Sequence, residues 1–193
     1  MVIADQGGKG ETMTTVDRER LTILGIDPGL ARTGLAVIVH DGHSGKAALA
    51  EDVRTHKSWD LARRLKVIHE AIRKAAQHFR PDAAAIETLY FAANVKTAVQ
   101  VAQARGVAIL ATADEEIELF EYTPLQIKQA VAGYGRARKD QMLGMVQLLL
   151  AMKDPPASDH TADALAVAIC HAHHYRLNRL VARASGEHRP QPK

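Results

Sequence analysis

The sequence has little cysteine, few aromatic residues and no long apolar run, and each shortage excludes a class of protein. Cys170 is the one cysteine among 193 residues, so a disulfide within the chain is excluded and a secreted, disulfide-stapled domain is not expected. No apolar run approaches the roughly 18 residues that cross a bilayer, and residues 1–15 lack the apolar centre of a signal peptide. We therefore expect a cytoplasmic protein without a membrane span.

An excess of one charge is also lacking, because 25 Lys and Arg residues face 22 Asp and Glu residues. The basic residues nevertheless concentrate in two places, the stretch 128–139 and the C-terminal segment. Such clusters suit a polyanionic partner, although a net charge of +3 does not demand one.

The length and the 47% hydrophobic content predict one domain with a sizeable core. Residues 1–20 mix Gly, Thr, Asp, Lys and Arg without periodicity, and residues 179–193 are polar and basic. Both segments are predicted to be disordered, because they contain too little apolar surface to bury. The folded domain is predicted to span residues 21–178.

The spacing of apolar residues predicts an α/β fold with a mixed sheet. The predicted strands are 21–27, 33–40, 47–53, 83–87 and 117–122. The predicted helices are 59–80 with an N-cap at Ser58, 94–113, 124–132, 140–152 and 158–175. Three meandering strands followed by alternating helices and strands are typical of such a sheet flanked by helices.

Two of the predicted strands end in an acidic residue. Asp27 ends the first strand and Glu87 ends the fourth, and strand ends of an α/β sheet open into a crevice where ligands bind. An aspartate before Pro-Gly is commonly a turn residue when it stands alone. A second acid at a neighbouring strand end favours a site instead.

The segment 158–163 adds two more polar side chains at the start of an apolar helix. Ser158 or Asp159 can cap this helix, but Asp163 lies in its second turn, where capping does not explain it. His160 and Asp163 are three residues apart and share one face. Hard ligands on several elements suit Mg²⁺ or Mn²⁺, and two such ions can act on a phosphodiester. The sequence thus predicts a divalent-metal nuclease site.

Four short motifs have an order and spacing that resemble one family. They are residues 23–29 (ILGIDPG) with Thr33-Gly34, 85–87 (AIE), 103–109 (QARGVAI) and 162–166 (ADALA). Together they resemble the RuvC family of Holliday-junction resolvases, over residues 21–174. The resemblance implies an RNase H-like five-stranded mixed sheet, two metal ions per subunit and paired symmetric nicks in a four-way DNA junction during recombination and repair. It also implies a homodimer, with RuvA and RuvB as branch-migration partners.

The resemblance assigns roles to the four polar residues position by position. Asp27 matches the first-strand metal ligand, Glu87 the second carboxylate and Asp163 the final acid on the last helix. The remaining family position is commonly aspartate and is His160 here, with Asp159 beside it as the alternative fourth ligand. We favour His160 because the register to Asp163 is unbroken. The softer nitrogen of His160 predicts a preference for Mn²⁺ over Mg²⁺. The alternative role for His160 is to orient the attacking water.

The resemblance also indicates residues that would contact DNA. Lys128 and Lys139 match basic family positions near the scissile region, and Arg136 and Arg138 add charge beside them. The alternative for the two arginines is an ordinary solvated loop. Tyr90 matches an aromatic family residue that stacks on or wedges between bases, whereas its neighbour Phe91 is predicted to pack in the core.

Three further interpretations stay open on the sequence. The small-residue face of helix 94–113 is either a dimer interface or a surface packed on the sheet of its own subunit. Residues 171–174 contain three histidines, which could bind a metal ion, but they are predicted to form an exposed helix end. Residues 25–29 with Thr33-Gly34 also resemble the first phosphate loop of actin-like ATPases and sugar kinases, but the chain is too short for their two domains. Two more alternatives to a junction resolvase are an RNase H-like nuclease with a different nucleic-acid substrate and a junction-binding protein without catalysis.

Overall fold

A computed structural model describes residues 20–88 and 95–185 and shows a five-stranded mixed sheet. The strands are β1 (Leu21–Asp27), β2 (Arg32–His40), β3 (Gly45–Arg54), β4 (Ala83–Glu87) and β5 (Leu119–Tyr122). Their spatial order is β3-β2-β1-β4-β5, with β1, β2 and β3 antiparallel and with β4 and β5 parallel to β1. The predicted meander of three strands and the predicted mixed five-stranded sheet are confirmed.

Five helices flank the sheet. They are α1 (Leu61–Phe79), α2 (Val95–Asp114), α3 (Pro124–Ala132), α4 (Lys139–Leu149) and α5 (Asp159–Ser185). The predicted N-cap of α1 is wrong, because the Asp60 side chain accepts the Arg63 backbone N–H at 2.9 Å and Ser58 bonds to His56 instead. Helix α5 continues to Ser185, so the domain boundary drawn at residue 178 falls inside a helix.

The sheet separates two apolar clusters, because successive side chains of a strand point to opposite faces. Ile23 of β1 packs with α3, α4 and α5, whereas Leu24 and Ile26 pack with α1 and α2. The central strands are therefore apolar almost throughout, and polar side chains become accessible only where these strands end. Within the described residues, no helix is long and apolar enough to span a bilayer.

Two glycines allow α5 to lie directly on the sheet. A Cβ atom at Gly25 of β1 would lie 2.0 Å from the backbone oxygen of Ala164, and one at Gly34 of β2 would lie 2.0 Å from that of His160. Both contacts are with backbone atoms, which cannot rotate away. These glycines bring the first two turns of α5 against the ends of β1 and β2.

The predicted exposed helix end at residues 171–174 is wrong for His171. Its side chain is buried under β5, and its Nδ1 lies 2.8 Å from the hydroxyl of Tyr122. The ring of Phe120 packs against it with a centroid distance of 4.4 Å. Burial lowers the pKa of His171 to about 4, so this histidine belongs to the core as a neutral side chain.

Candidate active site

The ends of β1 and β4 place two carboxylates side by side. Ile26 pairs with Ile86 in the parallel register, so Asp27 and Glu87 are the next residues of neighbouring strands. Helix α5 crosses this edge and adds Asp163, whose negative charge contributes to raising the pKa of Glu87. The structure thus brings together three acids that are far apart in sequence.

His160, rather than Asp159, faces these acids. Its Nδ1 lies 2.7 Å from Asp27 Oδ2, in a hydrogen bond that the carboxylate accepts. Asp159 points to solvent with its side chain 69% exposed, and its Oδ2 lies 2.6 Å from Lys139 Nζ. Adjacent helical residues project in different directions, so the two side chains cannot share the face of Asp163 equally.

The surroundings of the three acids disfavour their negative charges. Burial raises the pKa of Glu87 to about 7, with further contributions from Asp27 and Asp163. Although Asp163 remains accessible to solvent, the surrounding protein desolvates it enough to raise its pKa to about 6, and Asp27 adds to the effect. Burial also raises the pKa of Asp27, in spite of the hydrogen bond from His160. Carboxylates held together in this way favour a nearby cation.

The donor set fits hard divalent cations, although it does not form a closed cage. Over residues 20–88 and 95–185, no three His, Cys, Asp or Glu side chains converge on one point closely enough to surround an ion. Mg²⁺ retains several water ligands and is commonly bound through one or two protein carboxylates together with substrate phosphates. An open row of carboxylates suits that coordination, because it leaves positions for phosphate oxygens.

Asp52 of β3 fixes the start of α5 and was missed by the sequence analysis. Ser158 caps the helix by accepting the Thr161 N–H at 3.1 Å, which agrees with one of the two predicted caps. The hydroxyls of Ser158 and Thr161 donate to Asp52 Oδ1 at 2.5 and 3.2 Å. Burial alone would raise the pKa of Asp52, but these hydrogen bonds outweigh it and the pKa is lowered. An ionised Asp52 therefore anchors the turn that carries His160.

Arg105 of α2 is a second residue without a predicted role. Its side chain is largely buried, and Nη1 donates to the backbone oxygen of Glu87 at 2.6 Å. Its Nη2 lies 2.7 Å from Glu121 Oε2 on β5. The one signal in the sequence was an arginine inside the small-residue motif 103–109. Arg105 ties α2 to the strand end from which Glu87 projects.

The predicted DNA contacts fall into three groups. Lys128 and Lys139 lie close enough to the acids that their charges lower the pKa of Glu87 and of Asp163, respectively. Arg138 is exposed and its guanidinium pairs with Asp140 at 2.7 Å, while Arg136 is exposed in the same segment. The third group is Tyr90, which lies outside the described residues. Phe91, which is predicted to pack in the core, lies outside them as well.

Comparisons with known proteins agree on one family. The family model described as "Crossover junction endodeoxyribonuclease RuvC" matches residues 23–171. The chain is 46% identical over 159 residues to the curated protein of that name from Halothermothrix orenii, covering 82% of this chain and 96% of that protein. It is 45% identical over 161 residues to the one from Ruminiclostridium cellulolyticum, covering 83% and 97%.

A solved structure gives the same result in three dimensions. The structure titled as Thermus thermophilus RuvC in complex with Holliday junction substrate has a TM-score of 0.78 and 33% sequence identity to this chain. The match covers 82% of this chain and 96% of that chain. The similarity therefore extends over nearly the whole of the known proteins.

Proposed function

The chain belongs to the RuvC family of crossover junction endodeoxyribonucleases, and we propose that Asp27, Glu87 and Asp163 bind the divalent ions that its nuclease reaction requires. The protein is a nuclease that resolves Holliday junctions, and nucleases of this family depend on metal ions. The observation that supports the metal proposal is the row of acids at one sheet edge, where burial raises the pKa of Glu87 to about 7. The match over residues 23–171 leaves no basis for a sugar-kinase or ATPase reading.

Divalent ions held by Asp27, Glu87 and Asp163 would supply an activated water and stabilisation of the charge on the leaving oxygen. The protein contributes the positions of the ligands. Asp27 and Glu87 are fixed by paired strands, and Asp163 is fixed by the close contact of α5 with β1. Lys128 and Lys139 approach the acids from α3 and from the start of α4, where they would bind phosphates beside the scissile one.

His160 provides either a nitrogen ligand or a group that orients water. Its Nδ1 is bonded to Asp27, so its Nε2 is the ring nitrogen left to act on a ligand or water. Imidazole in place of a carboxylate lowers the negative charge of the site and adds a softer donor. We therefore propose that Mn²⁺ supports faster cleavage than Mg²⁺.

The variant His160→Asp is expected to change metal preference rather than fold. A fourth carboxylate restores an all-oxygen site, which should lower the ratio of nicking rates with Mn²⁺ and Mg²⁺ by roughly tenfold. Single-turnover rates across titrations of both ions measure that ratio. Equal or faster wild-type cleavage with Mg²⁺, together with an unchanged ratio in the variant, would reject the assignment.

The exposed face of α2 supports a homodimer. Val99, Ala102, Gly106, Ile109 and Leu110 all lie on the solvent side of the helix, with Val99 50% and Leu110 54% exposed. The opposite side, with Ala104, Ala108 and Ala111, packs into the core of the subunit. The small residues thus divide between two surfaces, and the exposed one suits a second copy of the chain. A two-fold dimer would match the two equivalent strands of a four-way junction.

The variant Ile109→Asp is expected to convert the dimer to a monomer, because it places a charge within that apolar face. Light scattering after size exclusion would show the mass halved, and paired nicking should fall with it. Lys74→Glu, which changes charge on the exposed surface of α1, serves as the control and should remain dimeric. An unchanged mass for Ile109→Asp would place the interface elsewhere.

Substrate choice is tested by incubating the protein with a labelled four-way junction, a linear duplex and an RNA–DNA hybrid, each with Mg²⁺ or Mn²⁺. Symmetric nicks confined to the junction are expected. Equal cleavage of the duplex or the hybrid would instead indicate a nuclease of broader substrate range. Stacking by Tyr90, partnership with RuvA and RuvB, and a cytoplasmic location stay predictions.

A further inference from the structure

A second basic surface lies at the same sheet edge as the acids, on the side of β3. Arg32 begins β2 and Arg54 ends β3, and the two are cross-strand partners. Asp27 pairs with Gly34, two residues farther along β2. Because neighbouring strands are about 4.8 Å apart and rise about 3.4 Å per residue, the backbones of both arginines lie roughly 8–12 Å from that of Asp27.

The two arginines share one carboxylate. Arg32 Nη1 and Arg54 Nη2 lie 3.7 and 3.4 Å from Asp52 Oδ2, while Asp52 Oδ1 accepts the hydroxyls of Ser158 and Thr161. One negative charge thus faces two positive charges. The side chains of Arg32 and Arg54 are 48% and 65% exposed, so N–H donors of both remain accessible to solvent.

The loop after β3 continues this surface. The Thr55 N–H donates to the Ala31 carbonyl at 3.1 Å, and the Thr55 hydroxyl donates to the Leu30 carbonyl at 2.5 Å. These bonds fasten the loop to the turn that follows Asp27. The loop then carries Lys57 into solvent beside the N-terminus of α1.

Two of the cations here have no acidic partner. Among the described residues, neither Lys57 nor Arg63 forms an ion pair, and the Arg63 guanidinium carbon lies 4.3 Å above the ring of Trp59. The first turn of α1 contains no acid, although the carboxylate of its N-cap Asp60 accepts the Arg63 N–H and offsets the partial positive charge of the helix N-terminus. Exposed cations that form no ion pair within residues 20–88 and 95–185 are available to phosphates.

We propose that these four residues, named here the β3-side surface, bind the phosphates of the DNA strand on the far side of the scissile bond from Lys128. The surface consists of Arg32, Arg54, Lys57 and Arg63. This inference rests on the proposed metal-dependent nuclease site. Lys128 lies on α3, which follows β5. Strand β5 is the outermost strand on the side opposite to β3, so the strands β1 and β4 that carry Asp27 and Glu87 lie between β5 and the β3-side surface.

The dimensions of DNA support this arrangement. Phosphates recur every 3.4 Å of axial rise along one strand, so a strand crossing the acids presents phosphates at roughly 7–10 Å on either side. Contacts on both sides would hold the scissile phosphate in place, since phosphate contacts fix register without reading sequence.

The test uses the double variant Lys57→Gln/Arg63→Gln in the full chain, because neither side chain forms an ion pair with another described residue. Junction affinity is measured by fluorescence anisotropy over a KCl series, in an Asp27→Asn background that prevents cleavage. Two lost phosphate contacts should lower the slope of log affinity against log salt by roughly 1.8 and weaken binding about tenfold at low salt. Lys46→Gln/Lys74→Gln removes the same charge from exposed positions away from this edge and is the matched control.

The outcomes separate this inference from the metal proposal. A loss of affinity and slope confined to the Lys57/Arg63 pair supports the β3-side surface. Equal losses in the control pair overturn it, because they would indicate a long-range charge effect that acts from both places. No loss in either pair overturns it as well. A companion pair, Arg32→Gln/Arg54→Gln, must show the same reduced slope, and a lower melting temperature with an unchanged slope overturns the inference as well. Absence of metal-dependent nicks from the protein with Asp27 intact would instead reject the proposed site.

Discussion

Replacement of Asp27 by asparagine is expected to lower the rate of junction nicking by roughly a thousandfold or more, while junction affinity stays within about threefold of that of the wild type. Asparagine keeps the size of the side chain but removes a negative charge that acts on both Glu87 and Asp163. The expected loss follows from weaker binding of cations, because Asp27 is one of the three carboxylates proposed to hold them. Single-turnover cleavage at saturating protein separates this loss from any change in binding.

Asp159→Asn is the matched control for that experiment. It makes the same chemical change one residue from His160, but its carboxylate pairs with Lys139 at the surface. Nicking should remain within about threefold, as for other exposed ion pairs of small energetic value. If Asp159→Asn were as inactive as Asp27→Asn while His160→Ala nicked normally, the fourth ligand would be Asp159.

Gly34→Ala is expected to destabilise the fold by about 3 kcal/mol and to reduce nicking with it. The new Cβ would lie 2.0 Å from the backbone oxygen of His160 and 2.4 Å from its carbonyl carbon, so the first turn of α5 must move away from β2. That turn carries His160 and precedes Asp163. Thermal unfolding should show a melting temperature lower by about 10 °C for a domain of this size.

Gly144→Ala distinguishes this steric effect from a general effect of glycine replacement. Gly144 lies inside α4, and a Cβ there would meet no atom within 4 Å. Alanine at that position should stabilise the protein by about 0.5–1 kcal/mol, because it favours the helix. A melting temperature for Gly34→Ala equal to that of the wild type would show that α5 does not rest on Gly34.

The elements of the fold were largely predictable because they depend on neighbours in sequence. The apolar strand 83–87 and the capped helix at Pro124 were placed by local patterns, and both appear with those limits. Errors occurred where a nearby competitor decided the outcome. Ser58 and Asp60 are both good N-caps, and in the structure the side chain of Asp60 caps α1.

The burial of His171 was not predictable, because its environment comes from a distant strand. A run of three histidines near a basic segment is typical of an exposed helix end, yet Phe120 and Tyr122 cover His171. Nothing local to residues 171–174 records that contact. The same limit applies to α5, whose continuation to Ser185 was not evident in the polar sequence after Tyr175.

The sequence by itself determined the α/β class, the family and the four polar residues expected at the site, because strand ends, helix faces and motif spacing are local properties. Only the tertiary structure decided which side chains meet. His160 rather than Asp159 reaches Asp27, across 133 positions of the chain. Asp52 holds the turn of Ser158, and Arg105 holds the strand end at Glu87. The contacts of α5 depend on two glycines that let this helix touch the sheet, and such proximity is a property of the packed chain alone.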